Sequence, residues 1–521
     1  MEQNKLKNFN PILGQDYPDV DVIRVEDTYY MISTTMYFMP GGVILRSYDL
    51  VNWEIASYVY DTLDDTDAQM LKGKENIYGQ GMWAASLRYH KGTFYVCFVA
   101  NDTHKTYLYQ AQDINGPWKK QYIEGFYHDC SLLFDDDDRV YIVYGNKQIY
   151  LTELNEELTG PKEGGLHRMI VEDVGNERLG YEGSHIYKIN GRYYVFFIHS
   201  LKERWYRTEA CFSSESLTGE FVGGDVLQDD MGHRQSGVAQ GGIVDTPDGN
   251  WYAILFQDRG AVGRIPILIP IHFEGNQVVF GMDGKIPKEI QITSTRPDYK
   301  YEPLFVSDDF MYEPDGKGKI HLHPAWQWNH NPQNHLWSVT EKKGALRLHS
   351  GKICDNLLQS YNTLTQRTSE KISQVEVQVD ATQIHNGDYA GICAFLGCYA
   401  GIALTRKEDG YYVVVIGKDA KDDSMMPDRS TLEGKAKEYI CIPVKHSTLR
   451  FRCLVNFNDG RDDVTFYYEE EGKWIQVGER HPLVFKLDLF TGCRFGLYYY
   501  STKQMGGYTD FSSFKYEIIE G

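Results

Sequence analysis

Asp19, Asp129 and Glu182 are the residues of this sequence whose type and spacing best suit acid–base chemistry. Each precedes, by 11 or 12 residues, a tyrosine in the second strand of a short strand–turn–strand module, and the same step leads to Trp83 and Gln240 in two further modules. The tyrosines that set this register are Tyr30, Tyr95, Tyr141, Tyr194 and Tyr252. A closed ring of five such modules would bring the five equivalent positions together at its axis. Three converging carboxyl groups predict hydrolysis by acid–base catalysis.

The local sequence separates the roles of the carboxyl groups. Cleavage of a glycosidic bond needs one carboxylic acid, which protonates the leaving oxygen, and one carboxylate on the opposite face. Glu182, between a tyrosine and a glycine, would be partly desolvated, which raises a carboxyl pKa and suits the acid. Asp19 suits the base if hydrogen bonds keep it ionised, and Asp129 would orient the acid and tune its pKa. Asp16 and Asp21 compete with Asp19 for the role of base, and Asp21 shares its strand face.

Five other residues are expected to contact a substrate. Trp83 is either a platform for a sugar ring or part of a blade core. Gln240 lies among glycines, which either let the backbone approach a ligand or mark a strand bulge. Arg264 either holds sugar hydroxyls, pairs with a carboxylate of the site or lies on the surface. Phe38 and His233 complete this set.

Histidine spacing argues against a transition-metal centre. His128, His185 and His233 form no HxH or HxxxH pair of the kind that binds zinc. A calcium ion with oxygen ligands, structural or in the channel of the ring, would leave no such pattern and stays open. We therefore expect no required cofactor. The acidic run 135–138 lies on a turn and is interpreted as a solvated loop.

The elements that must position these residues are almost all strands. Turn residues such as ED, KG, NG and PDG separate apolar from aromatic strands throughout the repeat. We predict a five-bladed β-propeller over residues 1–290, because each repeat has room for four strands. Residues 291–304 mix proline with charge and are predicted as a linker. Residues 305–521 show the short alternating strands of an antiparallel β-sandwich, jelly-roll or concanavalin-like, so the whole chain is predicted to be all-β.

Composition limits the classes of molecule that this protein is expected to bind. Lysine and arginine number 53 against 73 aspartates and glutamates, a net charge of −20 without a long basic run, which disfavours nucleic acids and polyanions. No stretch approaches the ~20 apolar residues of a membrane span, and the N-terminus lacks the apolar core of a signal peptide. We expect a cytoplasmic protein with no membrane partner. A homo-oligomer stays open, because a sandwich beside a propeller rim often supports association.

The modules together resemble glycoside hydrolase family 43. The segments that carry the resemblance are NPIL, YPDVDVIRVEDTYYM, MWAASLRYHKGTFYV, HDCSLLFDDDDRVYIVYG, YEGSHIYKINGRYYVFF and QGGIVDTPDGNWYAILFQDRGAVGR. The resemblance spans nearly the whole first domain in order, and the long members with a C-terminal β-sandwich are similar over the full length. It implies a five-bladed propeller, inversion at the anomeric carbon, and the β-xylosidase and α-L-arabinofuranosidase branch.

The same resemblance implies site roles. Asp19 matches the general base, Glu182 the general acid and Asp129 the residue that modulates the pKa of the acid. Arg264 matches an arginine of the sugar subsite in xylosidase-like members. In those members the sandwich helps to close the pocket, and residues 500–508 are our candidate for that contact. Many members have a histidine, an ion ligand in some, where this chain has Gln240, and residues 84–86 also depart from the family pattern.

The function expected is an exo-acting hydrolase of xylo- and arabino-oligosaccharides. It would release terminal xylose from β-1,4-xylo-oligosaccharides and also terminal α-L-arabinofuranose. A predominant α-L-arabinofuranosidase or exo-arabinanase is the alternative. A fructosidase-like propeller would need a WxNDPxG-like start, which YPDVDV does not resemble. From another class, a non-catalytic carbohydrate-binding propeller or a structural scaffold would use the acids only to line a channel.

Overall fold

Strands make up nearly all the regular structure of residues 5–519, which are the residues that the computed structural model describes. No α-helix occurs within that span, and therefore no helix there is long and apolar enough to cross a bilayer. The helical turns are short 3₁₀ segments: Gly260–Val262, Asn334–Leu336, Leu357–Gln359, Arg429–Leu432 and Asn458–Gly460. The prediction of an all-β chain is confirmed.

Five four-stranded antiparallel sheets form the blades of a propeller, as predicted. Blade 1 comprises Asp21–Val25, Thr28–Ser33, Gly41–Ser47 and Glu54–Tyr60. Blade 2 comprises Ser86–His90, Thr93–Ala100, Lys105–Ala111 and Lys119–Ile123. Blade 3 comprises Ser131–Phe134, Val140–Asn146, Gln148–Leu154 and His167–Glu172. Blade 4 comprises Glu182–Ile189, Arg192–Ser200, Arg207–Ser214 and Val222–Leu227, and blade 5 comprises Val238–Asp245, Trp251–Asp258, Arg264–Glu274 and Gln277–Phe280.

The propeller ring is closed by contacts between the first strands of its blades and by pairing of the strands that precede blade 1 and follow blade 5. The first strand of each blade contacts the first strand of the next, and blade 5 contacts blade 1 in the same way. Lys5–Phe9 pairs antiparallel with Glu289–Thr293, so the N-terminal strand joins the strand that follows blade 5. The five first strands therefore surround one axis, which is the geometry that the repeat predicted for the acids.

The second domain is a two-sheet sandwich with a shared apolar core. In spatial order, the eight-stranded sheet contains Lys437–Val444, Gly410–Gly417, Ala400–Lys407, Asp388–Phe395, Arg494–Ser501, Leu364–Arg367, Gln327–Asn329 and Phe38–Met39. The seven-stranded sheet contains Trp337–Ser338, Leu346–His349, Tyr508–Ile519, Ile372–Asp380, Thr448–Asn456, Asp463–Glu470 and Lys473–Pro482. Between residues 294 and 326 the chain crosses from the propeller to the sandwich without a strand.

One strand of the sandwich comes from the propeller part of the chain. Phe38–Met39 lies between two strands of blade 1 in sequence, yet it pairs antiparallel with Gln327–Asn329 at the edge of the eight-stranded sheet. Phe38 is fully buried there, with the Arg494 guanidinium carbon 3.5 Å from the centre of its ring. Backbone pairing, and not only side-chain packing, therefore joins the two domains.

Candidate active site

The residues of the predicted register share an unusual backbone conformation. Asp19, Asp129 and Gln240 have positive φ angles of 52°, 47° and 62°, each at or just before the first strand of its blade. Left-handed backbone is costly for most side chains. Beside Glu182 it is Gly183 that takes the left-handed conformation, with φ 63°, and a Cβ there would come within 2.7 Å of the Gln240 side chain. Only glycine fits this position without a shift of its neighbours.

Asp19 is a buried carboxylate held by one arginine. Nη1 of Arg264 donates to both carboxylate oxygens of Asp19, at 2.8 and 3.0 Å. The two side chains are only 2% and 9% exposed, so water screens the pair little. Burial raises the pKa of Asp19, and Arg264 opposes that rise. The arrangement suits a base, because the ion pair favours the ionised form while burial keeps its proton affinity appreciable.

Asp129 and Glu182 form a second acidic group, from blades 3 and 4. Oδ2 of Asp129 accepts from the backbone N–H of Gly183 at 3.2 Å, and its backbone oxygen accepts from Ser184 at 3.2 Å. Burial raises the pKa of Asp129 to about 7; His128 opposes this rise, whereas the carboxylates of Glu182 and Asp19 add to it. Asp129 thus interacts with both other acids, and the convergence that the register predicted is present.

His128 and Asn146 complete this second group, and neither was predicted from the sequence to contact the acids. Nε2 of His128 lies 3.6 Å from Oδ2 of Asp129 and 3.6 Å from Oε2 of Glu182. Nδ2 of Asn146 donates a hydrogen bond to the same Oε2. Burial disfavours charge on His128, but the two carboxylates outweigh it and raise its pKa to about 9.

Asp16 and Asp21, the competing candidates for the base, have structural partners. Asp16 accepts from the backbone N–H groups of Arg264 and Gly492, at 2.8 Å each, and so joins the propeller to the sandwich. Asp21 is fully buried at the axis and accepts from Arg88 at 2.6 Å and from the Leu87 N–H at 2.8 Å.

Blade 4 adds further contacts to Asp21. His185 lies 3.2 Å from Oδ1, and the Tyr187 hydroxyl donates to the same oxygen at 3.3 Å. Although burial opposes ionisation, Arg88 and His185 lower the pKa of Asp21 to about 2. A carboxylate engaged by blades 1, 2 and 4 is unsuited to activating water, and Asp19 is the better candidate for the base.

Aromatic side chains from both domains border the acids. Trp83 packs at a tilt against His128, with ring centroids 5.6 Å apart, and edge-on against Phe490, at 5.8 Å. Phe490 lies in the sandwich loop before the strand that begins at Arg494. Its ring centre is 4.2 Å from the Arg264 guanidinium carbon, and its backbone oxygen accepts from Arg264 at 3.3 Å. A sandwich residue therefore touches two residues of the site.

The expectation that residues 500–508 make this contact is wrong. Tyr500 is 2% exposed and stacks on Tyr389 inside the sandwich, with ring centroids 5.2 Å apart. Tyr508 begins a strand of the other sheet. Phe490 takes the place that those residues were expected to fill.

The remaining predicted contacts lie in three different surroundings. The backbone N–H of Gln240 donates to the buried carboxyl of Glu209 at 2.8 Å, and burial raises the pKa of Glu209 well above its usual value. Phe38 is fully buried under Arg494, so its ring has no face open to a sugar. His233 lies in the loop between blades 4 and 5, where burial and two neighbouring arginines lower its pKa to about 4.

The acid cluster also has the spacing of a cation site. Ligand atoms of His128, Asp129 and Glu182 lie within 4.8 Å of one another. A histidine must be neutral to bind a metal, so a cation here would have to displace the proton that the two carboxylates favour on His128. Calcium prefers oxygen ligands, of which this group supplies two carboxylates beside a positive charge. Two carboxyl groups and an imidazole supply fewer oxygen ligands than calcium takes, so the donor set does not fit that ion.

Two carboxyl groups in different electrostatic settings, facing one propeller axis, are what cleavage of a glycosidic bond by acid and base requires. The fold and site thus define a glycoside hydrolase. Comparison with known families agrees. Residues 9–278 match the model described as glycosyl hydrolases family 43, and residues 318–517 match the β-xylosidase C-terminal concanavalin A-like domain. The chain belongs to glycoside hydrolase family 43, as the resemblance predicted.

Relatives of known name or structure extend over most of the chain. A protein from Formosa agariphila described as a β-xylosidase is 26% identical, over 98% of this chain and 90% of its own. A non-reducing end α-L-arabinofuranosidase from Bacteroides ovatus is 27% identical, over 65% of this chain and 64% of its own. A solved structure described as a bifunctional GH43-CE from Bacteroides eggerthii superposes with a TM-score of 0.89 and 36% identity. It covers 99% of this chain, whereas this chain spans 64% of that one, less than two thirds of its length.

Proposed function

We propose that this protein is an inverting exo-glycosidase that releases terminal xylose from β-1,4-xylo-oligosaccharides and also terminal α-L-arabinofuranose. The observation that carries the proposal is the contrast between two carboxyl sites. Asp19 is paired with a buried arginine, whereas Glu182 shares a cluster with a carboxyl whose pKa is raised to about 7. The names of the relatives, β-xylosidase and α-L-arabinofuranosidase, support the choice of sugars.

Each acid has one role in the proposed single displacement. Asp19 removes a proton from a water molecule as the water oxygen bonds to the anomeric carbon. Glu182 gives its proton to the glycosidic oxygen as the bond from that oxygen to the anomeric carbon breaks. Asp129 holds the backbone beside Glu182 through Gly183, and burial raises the pKa of its own carboxyl to about 7.

The aromatic residues that line the site support action at the ends of oligosaccharide chains. Trp83, from the propeller, and Phe490, from the sandwich, meet edge to face beside the acids, with an interplanar angle of 69°. Phe490 also covers the guanidinium group that pairs with the base. A site covered by a second domain favours a terminal sugar over the middle of a chain. Aromatic rings suit the apolar faces of xylose and arabinofuranose.

Catalytic efficiency on two substrates tests the proposal. The wild-type enzyme is expected to hydrolyse both aryl β-D-xylopyranoside and aryl α-L-arabinofuranoside, with the higher kcat/KM on the xyloside. Proton NMR of the first product formed from xylobiose should show the α-anomer, because inversion converts the β-linkage. A higher kcat/KM on the arabinofuranoside would favour the alternative assignment. A β-anomer formed first would refute single displacement, as would a separation near ~5 Å between the carboxyl groups of Asp19 and Glu182, since inversion needs ~6.5–9.5 Å.

A further inference from the structure

The two carboxylate oxygens of Glu182 are not equivalent. Asn146 Nδ2 donates a hydrogen bond to Oε2, and His128 Nε2 lies 3.6 Å from the same atom. Within residues 5–519, the hydrogen-bond and ion-pair partners of this carboxyl group all fall on Oε2. The group is 18% exposed, so Oε1 is free to face a ligand. A proton to be transferred belongs on the oxygen that two donors do not already occupy.

Blade 3 brings these two donors to the acid together. The backbone oxygen of His128 accepts from the N–H of Gly145, at 3.0 Å, which fixes His128 beside the residue that precedes Asn146. On the other side of Asn146, the N–H of Lys147 donates to the backbone oxygen of Tyr181 at 2.8 Å. Tyr181 directly precedes Glu182. The donors and the acid are therefore held by adjoining backbone hydrogen bonds.

The His128 ring is also fixed by its surroundings. It packs against Trp83, with ring centroids 5.6 Å apart, and its side chain is 21% exposed. The charged groups that face it are Asp129 and Glu182, each 3.6 Å from Nε2. Cys130 lies nearby, and the carboxylate of Asp19 interacts electrostatically with Asp129. The carboxylates raise the pKa of His128 to about 9, so its positive charge is present throughout neutral pH.

We propose that His128 and Asn146 are positioning residues for the general acid: they anchor Oε2 of Glu182, leave Oε1 to carry the transferred proton, and place the charge of His128 against the Asp129–Glu182 pair. The inference rests on the proposed function. In the step concerned, the proton moves from Oε1 to the glycosidic oxygen, which keeps the electron pair of the breaking bond. The carboxylate that remains is stabilised by the imidazolium and by the amide of Asn146.

Profiles of kcat/KM against pH, on aryl glycosides with a range of phenol leaving groups, test this role. His128 lowers the pKa of the Asp129 carboxyl, so loss of its positive charge should move the alkaline limb of His128→Gln up by about one pH unit. That limb belongs to the Asp129–Glu182 pair as a unit. Asn146→Ala removes no charge, so its limb should stay near that of the wild type. This variant should instead lose roughly tenfold or more in rate on glycosides whose phenol leaving group has a high pKa. It should lose little on the dinitrophenyl glycoside, whose leaving group needs no proton.

A second histidine provides a matched control. Nε2 of His90 also lies 3.6 Å from an aspartate, Asp138, with 27% of its side chain exposed, but it lies at the outer turn of a hairpin. His90→Gln should leave the profile unchanged. His128→Asn serves as a second variant if His128→Gln fails to fold, as judged by thermal unfolding.

The outcomes separate the two proposals. Hydrolysis of the aryl glycosides by the wild-type enzyme tests the proposed function. An unmoved alkaline limb in folded His128 variants would overturn the inference, and so would an equal loss on all leaving groups in Asn146→Ala. A shifted limb with a loss that depends on the leaving group would support it.

Discussion

Removing Arg264, which pairs with the proposed base Asp19, should move the acidic limb of the pH profile upward. Arg264 donates to both oxygens of Asp19 at 2.8 and 3.0 Å, and both side chains are buried. Two unit charges ~4 Å apart attract by about 4 kcal/mol at an effective dielectric constant of ~20. That energy corresponds to about 3 pKa units, and paired aspartates shift by about 1–3 units. In Arg264→Met the pKa of Asp19, already raised by burial, should therefore rise further by about that amount.

The assay is kcat/KM against pH on an aryl glycoside with a good leaving group, so that the base governs the acidic limb. Binding losses lower the whole profile, whereas the limb reports the ionisation of the free enzyme. Arg207→Met is the matched control. Arg207 is also buried and lies over the Phe256 ring at 5.1 Å, as Arg264 does at 5.4 Å, but its ion pair is with Asp258.

A graded result is expected from the two variants. Arg207 contributes less than Arg264 to lowering the pKa of Asp19, so its removal should move the limb less. An acidic limb in Arg264→Met that coincides with the wild type would refute the assignment of Asp19 as base. Equal shifts in the two variants would show that the close pair has no special role.

Three further outcomes are expected. Glu182→Gln should lose most activity on xylobiose but much less on glycosides of acidic phenols, measured by initial rates; equal losses would contradict its role as acid. Asp21→Asn should lower the free energy of unfolding in denaturant by about 3–5 kcal/mol, because buried cationic partners lose their counter-charge. The pKa of Asp21 is lowered to about 2 in the folded protein. Its contribution to stability is therefore present above its unfolded pKa and is lost as the pH falls through 2. Phe490→Ala should lower kcat/KM by roughly tenfold, because water then reaches the guanidinium of Arg264, and an unchanged value would exclude the sandwich from the site.

The sequence predicted the fold well because the propeller repeats itself. Five hairpins with like turns set a register, and equivalent residues of the register share a left-handed backbone at Asp19, Asp129 and Gln240. The sandwich was also predictable, since its strands alternate regularly. The strand Phe38–Met39 was not, because two residues carry no periodicity and its partner lies nearly 300 positions away.

The site was predictable only where the repeat specified it. Spacing placed Asp19 and Asp21 on the same strand face, and only the partners of each side chain distinguish a base from a structural charge. His128 adjoins a predicted acid, so proximity in sequence was the one signal for it. Asn146 ends an ordinary strand, and Phe490 reaches the site from the other domain. Contacts of these kinds depend on tertiary packing, which local patterns do not encode.

The strand Phe38–Met39 limits how this enzyme can be taken apart or recombined. A chain cut after the propeller would leave that strand without its paired strand. A sandwich produced alone would expose the backbone of Gln327–Asn329 as an unpaired sheet edge. Grafting the sandwich of another family member onto this propeller would likewise place a foreign strand against Phe38, with a new residue to face its ring in place of Arg494. The two domains therefore depend on each other structurally, and chimeras should exchange both domains or neither.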